Sequence, residues 1–178
     1  MIEVEKKFRL TKRQRDAVVK RLAEVGAKLE GEDFEENTLY SGQALNDGSS
    51  VLRLRRVGTK ATLTYKKRLP SSSPIKHQRE EETGITDPEA MEAILASLGF
   101  TPSLVYEKRR QTWRLGKAEI VVDVLPFGLF MEIEGTAGEI KAAERKLGLK
   151  GLRAEHATYP QLTKKHGKAS KGLIAARF

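Results

Sequence analysis

Ionisable side chains recur at every second residue through one short segment after another. This alternation limits the fold more than any other feature of the chain. In residues 2–9, Ile2, Val4 and Phe8 fall on one side of a two-residue period, and Glu3, Glu5, Lys7 and Arg9 on the other. In 51–57, Val51, Arg53 and Arg55 alternate with Leu52 and Leu54, and in 61–68 Thr62, Thr64 and Lys66 share a face. A period of two belongs to strands, since a helix would repeat every three to four residues. Segments 34–41, 76–84, 104–114, 118–125 and 129–135 also read as strands. The links Gly58-Thr59-Lys60, Leu115-Gly116-Lys117 and Pro126-Phe127-Gly128 are hairpin-short, which makes the strands they join antiparallel.

Helical spacing is confined to a few places. Thr11 is placed to cap a helix over 11–27 in which Val18, Leu22 and Val25 recur on one face and Gly26 ends the run. Asp87-Pro88 opens a second, with Met91, Ile94, Leu95 and Leu98 as its expected buried stripe and Gly99 as its stop. A third, near 137–147, offers Ile140, Ala143 and Leu147. Many strands, short links and few helices predict an antiparallel α+β domain or closed barrel rather than a doubly wound sheet.

The length of 178 residues suits one domain spanning 1–178, with roughly the last 15 residues read as a basic tail. Cysteine is absent, which excludes a disulfide scaffold, a thiolate metal site and a cysteine nucleophile. No apolar run approaches the roughly 20 residues of a membrane-spanning helix, and the acidic start is unlike a signal peptide. The expectation is a cytoplasmic protein without a membrane partner.

Lys and Arg number 33 against 24 Asp and Glu, for a net charge of +9. That balance points to an anionic partner, and the placement of the charges points to its kind. Each strand face taken alone reads as an ordinary solvated surface. Together they are unusual, because acids and bases of both signs occupy alternate positions on nearly every strand. If these faces turn inward, each charge needs a partner. A divalent metal with a polyanion satisfies both signs, because carboxylates bind Mg²⁺ or Mn²⁺ and Lys and Arg bind phosphate oxygens.

Glu3-Val4-Glu5-Lys6-Lys7 matches a Glu-x-Glu-x-Lys opening. It is followed in order by Leu52-Arg53-Leu54-Arg55-Arg56, Leu63-Thr64-Tyr65-Lys66, Arg79-Glu80-Glu81-Glu82, Glu107-Lys108-Arg109-Arg110, Val122-Asp123-Val124 and Glu132-Ile133-Glu134. From residue 1 to about 165 the chain resembles the CYTH domains, or triphosphate tunnel metalloenzymes. The resemblance implies an eight-stranded antiparallel barrel that binds a triphosphate and metal. It implies hydrolysis of tripolyphosphate, a nucleoside triphosphate or thiamine triphosphate, or cyclisation of ATP by a class IV adenylyl cyclase. Lys67-Arg68 stands where those cyclases often carry Gly-Pro, so both reactions stay open.

Carried over residue by residue, the resemblance assigns metal binding to Glu3, Glu5, Asp123, Glu132 and Glu134. It assigns the triphosphate to Lys7, Arg53, Arg55, Lys66, Lys108 and Arg110. Glu3, Glu5 and Lys7 sit at the reacting centre. Glu80 and Glu82 either orient water or a distal metal, or are plain salt-bridge partners. In related proteins the C-terminal segment can plug the tunnel, which makes 159–165 a candidate for closing the site. His77, His156 and His166 have no ligand spacing and read as surface groups, and Trp113, Phe127 and Phe130 read as packing. A nucleic-acid-binding module would explain the net charge but not the paired glutamates, which repel phosphate. A non-catalytic polyphosphate binder would have no need of every metal carboxylate. Homodimerisation is left open.

Overall fold

A computed structural model describes residues 4–45, 49–68 and 78–178. Glu3, His77, the Asn46-Asp47-Gly48 turn and the serine-rich 70–74 loop of the sequence reading lie outside the described residues.

The strands are β1 (Glu5–Leu10), β2 (Lys28–Ser41), β3 (Ser50–Val57), β4 (Lys60–Arg68), β5 (Gln78–Ile85), β6 (Thr101–Leu115), β7 (Ala118–Leu125), β8 (Gly128–Glu134), β9 (Lys168–Ser170) and β10 (Leu173–Ala176). The helices are α1 (Lys12–Glu24), α2 (Pro88–Ser97), α3 (Ala137–Leu147) and α4 (Tyr159–His166). The main strands follow the order β1-β8-β7-β6-β2-β3-β4-β5, and every neighbouring pair on that path is antiparallel. The antiparallel α+β class and the eight main strands are as the sequence predicts. Among the described residues the path ends at β1 and β5, which are not paired with each other.

Local chemistry sets most boundaries where the sequence places them. Thr11 caps α1 and Asp87 caps α2, each side chain accepting from a backbone N–H three residues on. The β3–β4 hairpin turns through Gly58 at φ 56°, a left-handed conformation costly for any residue with a Cβ. Two strands are longer than their alternation suggests. β2 begins at Lys28 and β6 at Thr101, because they pair with each other along almost their whole length.

One face of the sheet is apolar. Phe8, Val18, Leu22, Trp113, Ile120, Met131, Ile133, Ile140 and Leu147 are buried together where α1 and α3 cover it. Tyr40, Leu52, Leu54 and Leu95 form a second core under α2. The stripe expected on α2 is corrected here: Leu95 is buried, but Ile94 and Leu98 are 50% and 68% exposed. This helix rests on the sheet along a narrow line, and Arg56 of β3 holds its N-terminal half through Glu89 and Glu92.

The opposite face carries the charges. At one end it is closed by α4, whose Tyr159 and Leu162 pack on Leu39, Leu104, Tyr106, Leu125 and Phe130. The C-terminal stretch expected as a basic tail is paired in part. β9 and β10 form a hairpin, and β10 runs parallel to β6 beside Leu104–Tyr106. Lys164, Lys165, Lys168 and Lys171 nevertheless face solvent. Thr158 caps α4 with a reciprocal Thr158–Gln161 pair. Thr158→Ala should therefore cost about 1 kcal/mol, read as a fall in Tm of roughly 2–4 °C for a domain of this size.

Candidate active site

The charged face is built by register. Across β1, β8 and β7, Glu5 stands opposite Glu134, which stands opposite Glu119, while Lys7 stands opposite Glu132. Across β2, β6 and β7, Glu35 stands opposite Lys108, and Arg110 opposite Asp123. Arg53 faces Thr64 across β3 and β4, and Glu82 stands opposite Thr64 on β5.

Two groupings result. In the first, Glu5, Glu132 and Glu134 bring carboxylate oxygens within 4.8 Å of one another. Lys7 adjoins them at 3.1 Å from Glu132. Its ammonium also donates to the Ala157 carbonyl at 3.4 Å and lies 4.1 Å from the centre of the Tyr159 ring. The second grouping is a buried ion-pair network. Arg110 donates two bonds to Asp123, of 2.7 and 2.6 Å, and a third of 2.9 Å to Glu132. Lys108 lies 3.2 Å from Glu35 and 3.7 Å from Asp123. Glu35 also reaches Arg55 at 3.5 Å and Arg110 at 3.8 Å, and Tyr159 donates its hydroxyl to Asp123 at 2.8 Å.

Burial and pairing set the protonation states. Burial alone would raise the Asp123 carboxyl, but Lys108 and Arg110, helped by the Tyr159 hydroxyl, bring it down to about 2. Burial likewise works to raise Glu35, and Lys108, Arg55 and Arg110 hold it below the usual carboxylate value. Burial lowers Lys108 to about 8 despite its acidic neighbours. Burial, then the Asp123 charge, pushes the Tyr159 phenol well above its ordinary value, so it stays a donor.

The β3–β5 end of the face is more open. Arg53 donates to Thr64 at 3.3 Å, and Thr64 donates to Glu82 at 2.9 Å. Lys66 pairs with Glu80 at 2.8 Å. The Nε of Arg53 is buried and makes no hydrogen bond among the described residues. A guanidinium N–H left this way suits an incoming anion.

A family model for the CYTH domain matches residues 1–159. The chain belongs to the CYTH family. Similar folds are seen in the PH1012 protein of Pyrococcus horikoshii OT3, which is 26% identical, with 90% of this chain and 98% of that one covered at a TM-score of 0.75. A proposed adenylate cyclase from Vibrio parahaemolyticus is 22% identical over 89% of this chain and 95% of that one, with a TM-score of 0.70. The proposed adenylyl cyclase HpAC1 of Hippeastrum, described as having a dominant triphosphatase activity, is 18% identical over 89% of this chain and 92% of that one, with a TM-score of 0.68. No curated protein matches. Among the described residues no helix is long and apolar enough to cross a membrane.

Of the carried-over metal residues, this CYTH domain gathers Glu5, Glu132 and Glu134, and Asp123 sits beside Glu132 across a shared Arg110 Nη2 while also bound to Lys108 and Tyr159. Glu3 lies outside the described residues. His156 and His166 are exposed, and His166 stacks on Phe127. The sequence reading missed Glu35, a buried carboxylate with three cationic neighbours on the face. Its alternation with Asn37 and Leu39 was the available signal. The run Glu30, Glu32, Asp33, Glu35, Glu36 puts acids on both faces of the strand and hides that signal.

Proposed function

We propose that this CYTH domain hydrolyses a triphosphate held with Mg²⁺ or Mn²⁺ on its charged face, the strand path curling so that this face lines a tunnel. One observation carries the reading. A three-carboxylate group lies beside Lys7, on the same face as Arg53, Arg55, Lys66, Lys108 and Arg110.

The acidic group suits a hard divalent ion. Glu5 and Glu134 are direct cross-strand neighbours, and their carboxylates come close enough with that of Glu132 to share one cation. All three donors are carboxylate oxygens, the ligand type Mg²⁺ and Mn²⁺ prefer. Such an ion supplies charge neutralisation at the transferred phosphoryl group and lowers the pKa of a bound water. The chain's own groups hold the substrate. Arg53 and Arg55 bind phosphate oxygens from β3, with Thr64 and Glu82 fixing the Arg53 rotamer. Lys7 is aimed by Glu132, the Ala157 carbonyl and the Tyr159 ring. Phosphoryl transfer asks mostly for positioning and charge stabilisation, which a rigid charged face provides. Asp123 then acts through Arg110 and Lys108 rather than as a ligand.

The described triphosphatase activity of the Hippeastrum protein supports hydrolysis. The name of the Vibrio protein supports a second reading, in which the same face cyclises ATP by activating the ribose 3′-hydroxyl. Turnover of tripolyphosphate, ATP and thiamine triphosphate with each metal, with products separated, decides between them. Phosphate release from tripolyphosphate is expected, since it has no ribose. Cyclic AMP with pyrophosphate would move the assignment to a class IV cyclase. Arg53→Ala should raise KM by about tenfold, the weight of one lost charge-assisted contact.

A further inference from the structure

We propose that Glu35 is a specificity-determining positioning residue. It fixes Arg55, Lys108 and Arg110 and withholds part of their charge, so that the face takes a triphosphate with its divalent cation in preference to bare polyphosphate. The inference rests on the triphosphate reading above.

A carboxylate amid phosphate-binding cations is at first sight misplaced, because it repels the ligand. Glu35 is nonetheless almost fully buried, at 3% exposure. Its oxygens lie 3.2 Å from Lys108, 3.5 Å from Arg55 and 3.8 Å from Arg110. These cations come from two different strands, β3 and β6, and β2 lies between them and delivers Glu35 to both. Asn37, one alternation further along β2, donates its amide to the same carboxylate at 3.3 Å. Swapping the two ends of that amide would set oxygen against carboxylate, so the observed orientation is the one chemistry allows. The amide joins Lys108 and Arg55 at Oε2, while Arg110 lies nearest Oε1.

The electrostatic consequence is specific. Lys7, Lys108 and Arg110 each face an internal carboxylate, namely Glu132, Glu35 or Asp123. A bare polyphosphate arriving here meets cations already part-neutralised, together with the carboxylates of Glu5, Glu132 and Glu134. A polyphosphate that brings its metal presents positive charge to the trio and anionic oxygens to the cations. Removing the Glu35 charge should shift this balance toward the bare anion. At an effective dielectric near 20, one charge a few ångströms away changes affinity by about tenfold or more.

The test is calorimetric binding of tripolyphosphate to wild type, Glu35→Gln and Glu35→Asp, in EDTA and in Mg²⁺, with kcat measured alongside. In Glu35→Gln, metal-free affinity should rise about tenfold while kcat with metal falls about tenfold, because Arg55, Lys108 and Arg110 lose their common anchor. Glu35→Asp keeps the charge and shortens its reach. Its metal-free affinity should stay within about twofold of wild type while kcat falls. A merely structural role would weaken binding in both buffers together. Unchanged or weaker metal-free affinity in Glu35→Gln, or an equal rise in Glu35→Asp, would overturn the inference and leave the function standing. A wild-type protein that binds tripolyphosphate in neither buffer would overturn both. If Glu35→Gln does not fold, the Asp variant decides by itself: lowered kcat at unchanged metal-free affinity supports the role, and any other pattern ends it.

Discussion

Replacing Glu134 by Gln is expected to lower metal-dependent turnover by on the order of a thousandfold, with the fold intact. The size follows from removing one member of a preorganised charge-stabilising site. The sparing of the fold follows from position. Glu134 is the last residue of β8 and is only partly buried. Stability without metal should change by less than about 1 kcal/mol, the scale of one cross-strand pair. Mg²⁺ should stabilise the wild type measurably through mass action and the variant much less. Thermal melts with and without Mg²⁺, run beside turnover, read both effects. A variant that stays as active as wild type would remove the trio from the chemistry.

Asp123→Ala is expected to be the most destabilising single change on the charged face, at about 3–5 kcal/mol, because it strands buried cations without their counter-charge. Asp123 is 0% exposed and holds Arg110 by two hydrogen bonds, Lys108 by an ion pair and the Tyr159 hydroxyl. Its loss also removes the hydrogen bond from Tyr159 of α4, one of several contacts between that helix and the sheet, so activity should fall with stability. Urea denaturation measures the effect. The pH dependence gives an independent check. Its cationic neighbours bring the folded carboxyl down to about 2 from the ordinary 3.8. A carboxyl depressed on folding contributes stability that is fully present above the unfolded value and is lost as pH falls through the folded one. The wild type should therefore lose stability between about pH 4 and pH 2. The variant should lack that part of the acid limb.

Much of this molecule can be read along the chain. The alternation in 51–55 and 62–66, the caps at Thr11 and Asp87 and the Gly58 turn are local facts, each settled by neighbours within a few residues. They suffice to give antiparallel strands, their charged faces and the family motifs that lie on them. The α2 stripe was misread because periodicity shows which residues share a helix face, not how wide a neighbouring surface will cover it. Ile94 and Leu98 share that face with Leu95 but remain in solvent.

Which side chains share a face of the sheet is legible along the chain, because a strand's period of two depends on the backbone alone. Which of them meet depends on how distant strands pair. Glu5 finds Glu134 more than a hundred residues away, and Glu35 finds Lys108 and Arg55 through two separate ladders. Arg110 bridges Asp123 to Glu132, and Tyr159 crosses from the last helix to reach Asp123. The physical reason is register. Pairing between distant strands is fixed by the packing of both faces together, and a slip of one residue would exchange the charged face for the apolar one.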